Sequence, residues 1–102
     1  MARLRGRVAI VTGGGGKGIG GTTSRLLAQE GAKVAVVDID STRGLEAVEN
    51  IKGQAGEAIF IHADVTLEND VVRVARETVN RYGPVDILVN NAGYHISKNV
   101  EE

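Results

Sequence analysis

Residues 8–20, VAIVTGGGGKGIG, constrain this chain more than any other stretch. Four apolar, mostly β-branched residues run through a threonine into a segment with six glycines among eight positions. β-Branched runs of this length favour strands, and glycine lets the backbone turn sharply and approach another group closely. The stretch therefore reads as a buried strand over Val8–Thr12, a loop, and a helix opening near Ile19. A loop of this kind suits phosphate. It carries few side chains to hold an anion away, and the first amides of the following helix point outward with a partial positive charge.

Beyond the loop, helix-period and strand-period segments alternate. Ile19, Thr22 or Thr23, Leu26 and Leu27 take helical spacing as an inward stripe, and Gly31 stands where a helix stops. Lys33–Asp38 follows as a strand whose four central apolar residues are unbroken, the mark of a strand covered on both faces. Asp40 or Ser41 caps a helix carrying Leu45, Val48 and Ile51, which fades at Gly53 and Gly56. Glu57–His62 is the third strand. Thr66 is then expected to cap a long helix with an inward stripe of Leu67, Val71, Val74, Ala75, Thr78 and Tyr82, stopped by Gly83 and Pro84. Residues 86–90 form the fourth strand. The order β-α-β-α-β-α-β implies right-handed crossovers and a doubly wound parallel α/β sheet with helices on both faces. Its ligand crevice lies beyond the carboxyl ends of the strands. Those ends carry Thr12 with the glycine loop, Asp38, Asp64 with Val65, and the run Asn90, Asn91, Ala92 and Gly93.

Composition narrows the partners. The 102 residues make one domain, and a net charge of -1 leaves no footprint for binding nucleic acid. No apolar run approaches the roughly 18 residues of a membrane span, and the one after Arg3, Arg5 and Arg7 is too short for a signal peptide, so a cytoplasmic protein is expected. The chain has no cysteine, and neither His62 nor His95 has a second histidine at metal-ligand spacing, so no metal site is expected.

Gly13, Gly15 and Gly18 satisfy the G-x-G-x-x-G dinucleotide pattern, with an acid about twenty residues beyond Gly18 at Asp38. A glycine-rich surface turn would explain the glycines but not the strand before them, the helix after them or the acid. A nucleotide-hydrolase P-loop fails, because Gly16 and Lys17 are followed by Gly18 and Val11 stands where that motif needs its first glycine.

Thr12-Gly13, then Gly18-Ile19-Gly20, Asp38, Asp64-Val65 and the Asn90 to Gly93 run resemble the short-chain dehydrogenase/reductase family along essentially the whole chain. The resemblance implies a Rossmann-like sheet with strand order 3-2-1-4 and an NAD(P)-dependent oxidoreductase acting on an alcohol/ketone pair. It assigns the pyrophosphate to the glycine loop through Gly18 and Ile19, the adenosine ribose to Asp38, adenine to Asp64 and Val65, and the lining of the cofactor to Asn91, with Thr12, Gly13, Gly15, Lys17, Gly20, Ala92 and Gly93 completing the cofactor-binding set. Thr12 would tie the glycine turn to the Asn-Asn-Ala-Gly run through its hydroxyl. One departure stands out: four residues (14–17) separate Gly13 from Gly18, where the family usually has three.

NAD is expected over NADP. Asp38 would repel a 2′-phosphate and Lys17 would attract one, and unit charges 4 Å apart interact by about 4 kcal/mol at an effective dielectric of 20, so the two nearly cancel. The charge-assisted ribose hydrogen bonds, about 1.5 to 3 kcal/mol, then favour NAD.

The family's catalytic Ser and Tyr-x-x-x-Lys pair fall beyond Glu102. Residues 1–102 therefore read as the cofactor-binding half, cut at the start of a fourth long helix and inactive alone, with no catalytic residues of its own. Tyr94, Ser97 and Lys98 reproduce the catalytic spacing, but they follow Gly93 directly, where the resemblance places a loop. An open edge on the fourth strand implies self-association. A stand-alone NAD-binding module without turnover and a structural remnant that binds nothing are the alternatives.

Overall fold

The computed structural model describes residues 3–91. Seven elements follow one another: β1 (Val8–Thr12), α1 (Ile19–Gln29), β2 (Lys33–Asp38), α2 (Ser41–Gly53), β3 (Glu57–His62), α3 (Glu68–Tyr82) and β4 (Ile87–Asn90). The strands form one parallel sheet in the order β3-β2-β1-β4. This is the expected doubly wound topology.

The apolar run of β2 explains itself in section. Successive side chains of a strand point to opposite faces. Val34 and Val36 join Ala9, Val11, Ala28, Ala47, Val48 and Ile51 under α1 and α2, whereas Ala35 and Val37 join Ile10, Ile61 and Val74 under α3. All four β2 residues are fully buried, so a polar residue at any of them would face a core.

Three expectations need correction. On α1 the inward stripe is Gly20, Gly21, Ser24 and Ala28, while Ile19 and Leu26 are exposed. The helix docks through its small residues because a methyl on Gly20 would collide with the Gly13 carbonyl, and one on Gly21 with the Gly16 carbonyl. On α2 the cap is Asp40, one of the two expected, accepting from the Arg43 N–H at 3.1 Å, but Leu45 faces outward instead of inward. On α3 the cap position is Leu67, not Thr66. The Thr66 hydroxyl is drawn instead to Asp64 Oδ1 at 2.6 Å, and only Val74 and Thr78 are buried, with Leu67, Val71 and Ala75 exposed. Strand β4 also starts one residue late, at Ile87, with Asp86 before it bonded to Val8 through both its carboxylate and its N–H, each at 2.9 Å.

The amino-terminal end of the sheet is stitched by side chains. The Tyr82 hydroxyl donates to Glu57 Oε2 at 2.9 Å, and Lys33 lies over the Tyr82 ring. Burial first, and the hydrogen bond to Glu57 second, raise the Tyr82 pKa above the ordinary tyrosine range.

Two outcomes follow for stability. Gly20→Ala should destabilise by about 2 kcal/mol through overpacking against backbone, whereas Gly53→Ala, which meets open space, should stabilise by up to about 1 kcal/mol; denaturant titration reads the opposite signs. Because the folded state holds the Tyr82 proton beyond its unfolded pKa of about 10, the associated stability is present below that pH and lost as pH rises through the folded value. Tyr82→Phe should remove this part of the decline in melting temperature on the alkaline side.

Candidate functional site

Four strand ends meet at the carboxyl edge of the sheet. At the end of β1, the Thr12 hydroxyl donates to Asn90 Oδ1 at 2.8 Å and accepts from the Asn91 N–H at 3.1 Å. Thr12 thus ties the start of the glycine loop to the end of β4, as the sequence implied. Asn91 Nδ2 is buried and has no hydrogen-bond partner among the described residues.

The loop itself is stitched backward onto β2 and α2. The Gly14 N–H donates to the Val37 carbonyl at 3.0 Å, the Gly15 N–H to Asp38 Oδ2 at 3.0 Å, and the Gly16 N–H to the Arg43 carbonyl at 3.0 Å. Gly16 takes φ +76°, a conformation that favours glycine. Its carbonyl accepts from Arg25 Nη1 at 3.1 Å, and the Ser24 hydroxyl reaches the carbonyls of Gly14 and Gly20, each at 3.0 Å. Lys17, Gly18 and Ile19 then face solvent at the opening of α1. The cap residue Gly18 offers no side-chain acceptor and the first turn holds no acid, so the positive end of the helix dipole is uncompensated.

Asp38 is 8% exposed. Its Oδ1 accepts from the Asp40 N–H at 2.9 Å, so each carboxylate oxygen has one backbone donor and lone-pair capacity to spare. Beyond β3, Asp64 Oδ1 accepts from the Thr66 N–H at 2.9 Å, and Val65 packs against the Ile10 and Val37 cluster. The register pairs Asp38 with His62, which places Asp38 and Asp64 on neighbouring chain ends.

The structure therefore brings Thr12, Gly13, Gly15, Gly18, Gly20, Asp38, Asp64, Val65 and Asn91 to one edge. Ala92, Gly93, Tyr94, His95, Ser97 and Lys98 lie outside the described residues. Sequence reasoning missed Arg25, Arg43 and Ser24. Arg43 sits in the first turn of α2 and Arg25 in the second turn of α1, with no motif to mark them, whereas Ser24 and Ala28 continue the four-residue spacing of Gly20. Among the described residues no group of three or more His, Asp or Glu side chains could hold a metal ion, and no helix is long and apolar enough to cross a membrane.

This arrangement fits a dinucleotide. A glycine-lined, positively polarised helix start suits a pyrophosphate, and a buried carboxylate beside it suits sugar hydroxyls.

Comparison with known proteins agrees. The family profile described as short chain dehydrogenase matches residues 7–102. An uncharacterised oxidoreductase of Thermotoga maritima is 42% identical over 99 residues, covering 97% of this chain and 38% of that protein. A crystal structure of hydroxysteroid dehydrogenase from Escherichia coli superposes with a TM-score of 0.84 at 39% identity, over 90% of this chain and 39% of that one. A 7α-hydroxysteroid dehydrogenase complexed with NADH and 7-oxo glycochenodeoxycholic acid gives 0.83 at 37% identity, over 87% of this chain and 34% of that one. The chain thus spans well under half the length of the relatives it matches.

Thr12→Val keeps the shape of the side chain and removes the hydroxyl that links β1 to β4. It should cost about 1 kcal/mol, with Thr12→Ser close to wild type, as read by urea midpoints.

Proposed function

The chain belongs to the short-chain dehydrogenase family, and from that premise we propose that it forms the cofactor-binding part of an NAD-dependent oxidoreductase acting on an alcohol/ketone pair. The observation that carries this reading is the pairing of an uncompensated helix start with Asp38, a buried carboxylate at the adjoining strand end. When bound, the nicotinamide cofactor supplies hydride transfer. The residues of this chain bind and orient it. The opening amides of α1, from Gly18 to Gly20, receive the pyrophosphate. Asp38 accepts from the adenosine ribose hydroxyls, Asp64 and Val65 border the adenine, and the buried Asn91 Nδ2, without a partner among the described residues, is the donor left for the cofactor.

Preference for NAD rests on Asp38. A 2′-phosphate would add negative charge next to a buried carboxylate, and the low local dielectric strengthens that repulsion. Lys17 is exposed and screened by solvent, so its attraction is the weaker of the two.

Association with a second copy and a cytoplasmic setting belong to the same reading. Support for the first is β4, which pairs only with β1 among the described residues and carries Leu88 at 66% exposure.

Calorimetric titration with NAD and NADP tests the proposal. NAD should bind more tightly, and Asp38→Asn should shift the NAD-to-NADP affinity ratio toward NADP by about tenfold, equivalent to about 1.4 kcal/mol. Tighter binding of NADP by the wild type, or an unchanged ratio in the variant, would overturn it.

A further inference from the structure

The loop that should receive a nucleotide is folded over the carboxylate that should receive its sugar. Gly15 and Gly16 do not arch away from α2. They lie on it, backbone to backbone: a methyl on Gly15 would stand 2.6 Å from the Arg43 carbonyl carbon and 2.7 Å from the Gly44 nitrogen. Between Gly15 and α2 there is no room for a methyl group. The segment is held by donors and acceptors at both of its glycines. Gly15 N–H takes Asp38 Oδ2, Gly16 N–H takes the Arg43 carbonyl, and Arg25 Nη1 takes the Gly16 carbonyl. The Arg43 guanidinium covers the outside, with its carbon 2.9 Å from where a Gly16 methyl would be. The fourth residue between Gly13 and Gly18 supplies the slack that this path requires, and the positive φ of Gly16 makes the turn.

We propose that residues 14–16 occupy the ribose end of the crevice in the free protein, latched to Asp38 by the Gly15 N–H, and swing off α2 when a nucleotide sugar binds. The inference rests on the dinucleotide reading above and adds an internal competitor to it. The sugar and residues 14–16 contend for the same side of the Asp38 carboxylate, so the apparent affinity falls in proportion to the fraction of molecules with the latch open. The same contest makes the loop a selector. A ligand holding only a pyrophosphate can meet the exposed opening of α1 without disturbing the latch, whereas one carrying the adenosine ribose must open it.

Amide NMR of the protein with ADP-ribose as the probe tests this directly. In the free protein the Gly15 and Gly16 amides should be protected from solvent exchange, with Gly15 shifted downfield by its carboxylate acceptor. Saturating ADP-ribose should abolish both properties and leave the Gly14 amide, bonded to the Val37 carbonyl, unchanged. Deletion of Gly16 should remove the slack and tighten ADP-ribose binding by about 3- to 10-fold. If the deletion variant does not fold, the wild-type spectra decide. Binding of ADP-ribose with the Gly15 amide still protected and downfield, or a folded deletion variant that binds no more tightly, would overturn the latch and leave the cofactor reading standing. Absence of ADP-ribose and NAD binding in both proteins would overturn the cofactor reading and the latch together.

Discussion

Two carbonyl groups seated on two glycine Cα atoms set the position of α1, and the rest of the carboxyl edge depends on that seating. The Gly13 carbonyl rests on Gly20 and the Gly16 carbonyl on Gly21, each where a side chain would collide. One turn further, Ser24 bonds the carbonyls of Gly14 and Gly20, and another turn on, Ala28 enters the core beside Ala32 and Val34. A row of small residues at four-residue spacing thus brings the helix axis close to β1 and its loop. Close docking has an electrostatic result: the positive end of the helix sits over the strand ends, unshielded by any acidic side chain in its first turn.

The same row shows why some of the structure was legible in the sequence and some was not. The strands, their order in the chain and the helices between them follow from unbroken apolar runs and glycine stops, and the residues of β1, β2 and β3 match residue for residue. The inward face of α1 was misread because Ile19 and Leu26 are the large apolar residues there, and size usually decides burial. Here contact distance decides it, since the sheet-facing side must admit backbone. The start of α3 was misread for a different reason. Thr66 has the right chemistry for a cap, but Asp64 two residues earlier takes both its hydroxyl and its N–H. In the site, Asp38 was legible from its spacing to the glycines, and Asp64 and Asn91 as residues at strand ends. The hydrogen bond from the Gly15 N–H to Asp38 was not, because no residue-type signal marks where a run of glycines will fold.

The two faces of the sheet are covered unequally. Helices α1 and α2 bury one face with Ala28, Ala47, Val48 and Ile51, while α3 contributes Val74 to the other and leaves Val71, Val72 and Val79 exposed. Leu88 pairs in register with Ile10 and shares its face, yet it is exposed where Ile10 is buried. Apolar burial is the main favourable term in folding, so the α1/α2 side carries most of the stabilisation. The site lies at the edge of that well-packed side, with the glycine loop bonded to β2 and α2 and Thr12 bonded to β4. Its geometry is therefore anchored in the better-packed half of the molecule.

Asp38 is the point where structure and recognition meet. A carboxylate buried to 8% exposure needs hydrogen-bond donors, and it finds them in the Gly15 and Asp40 N–H groups. The Asp40 donor belongs to the turn that caps α2 and stays with the fold. The Gly15 donor belongs to an all-glycine stretch, residues 13–16, with a residue to spare, so it is the one proposed to exchange. In the proposed bound state a sugar hydroxyl would donate where the Gly15 N–H does in the free protein, leaving the carboxylate with two donors in either state. In the proposed exchange the Asp40 N–H stays on Oδ1, so the buried carboxylate keeps a donor while the Gly15 N–H gives way to a sugar hydroxyl.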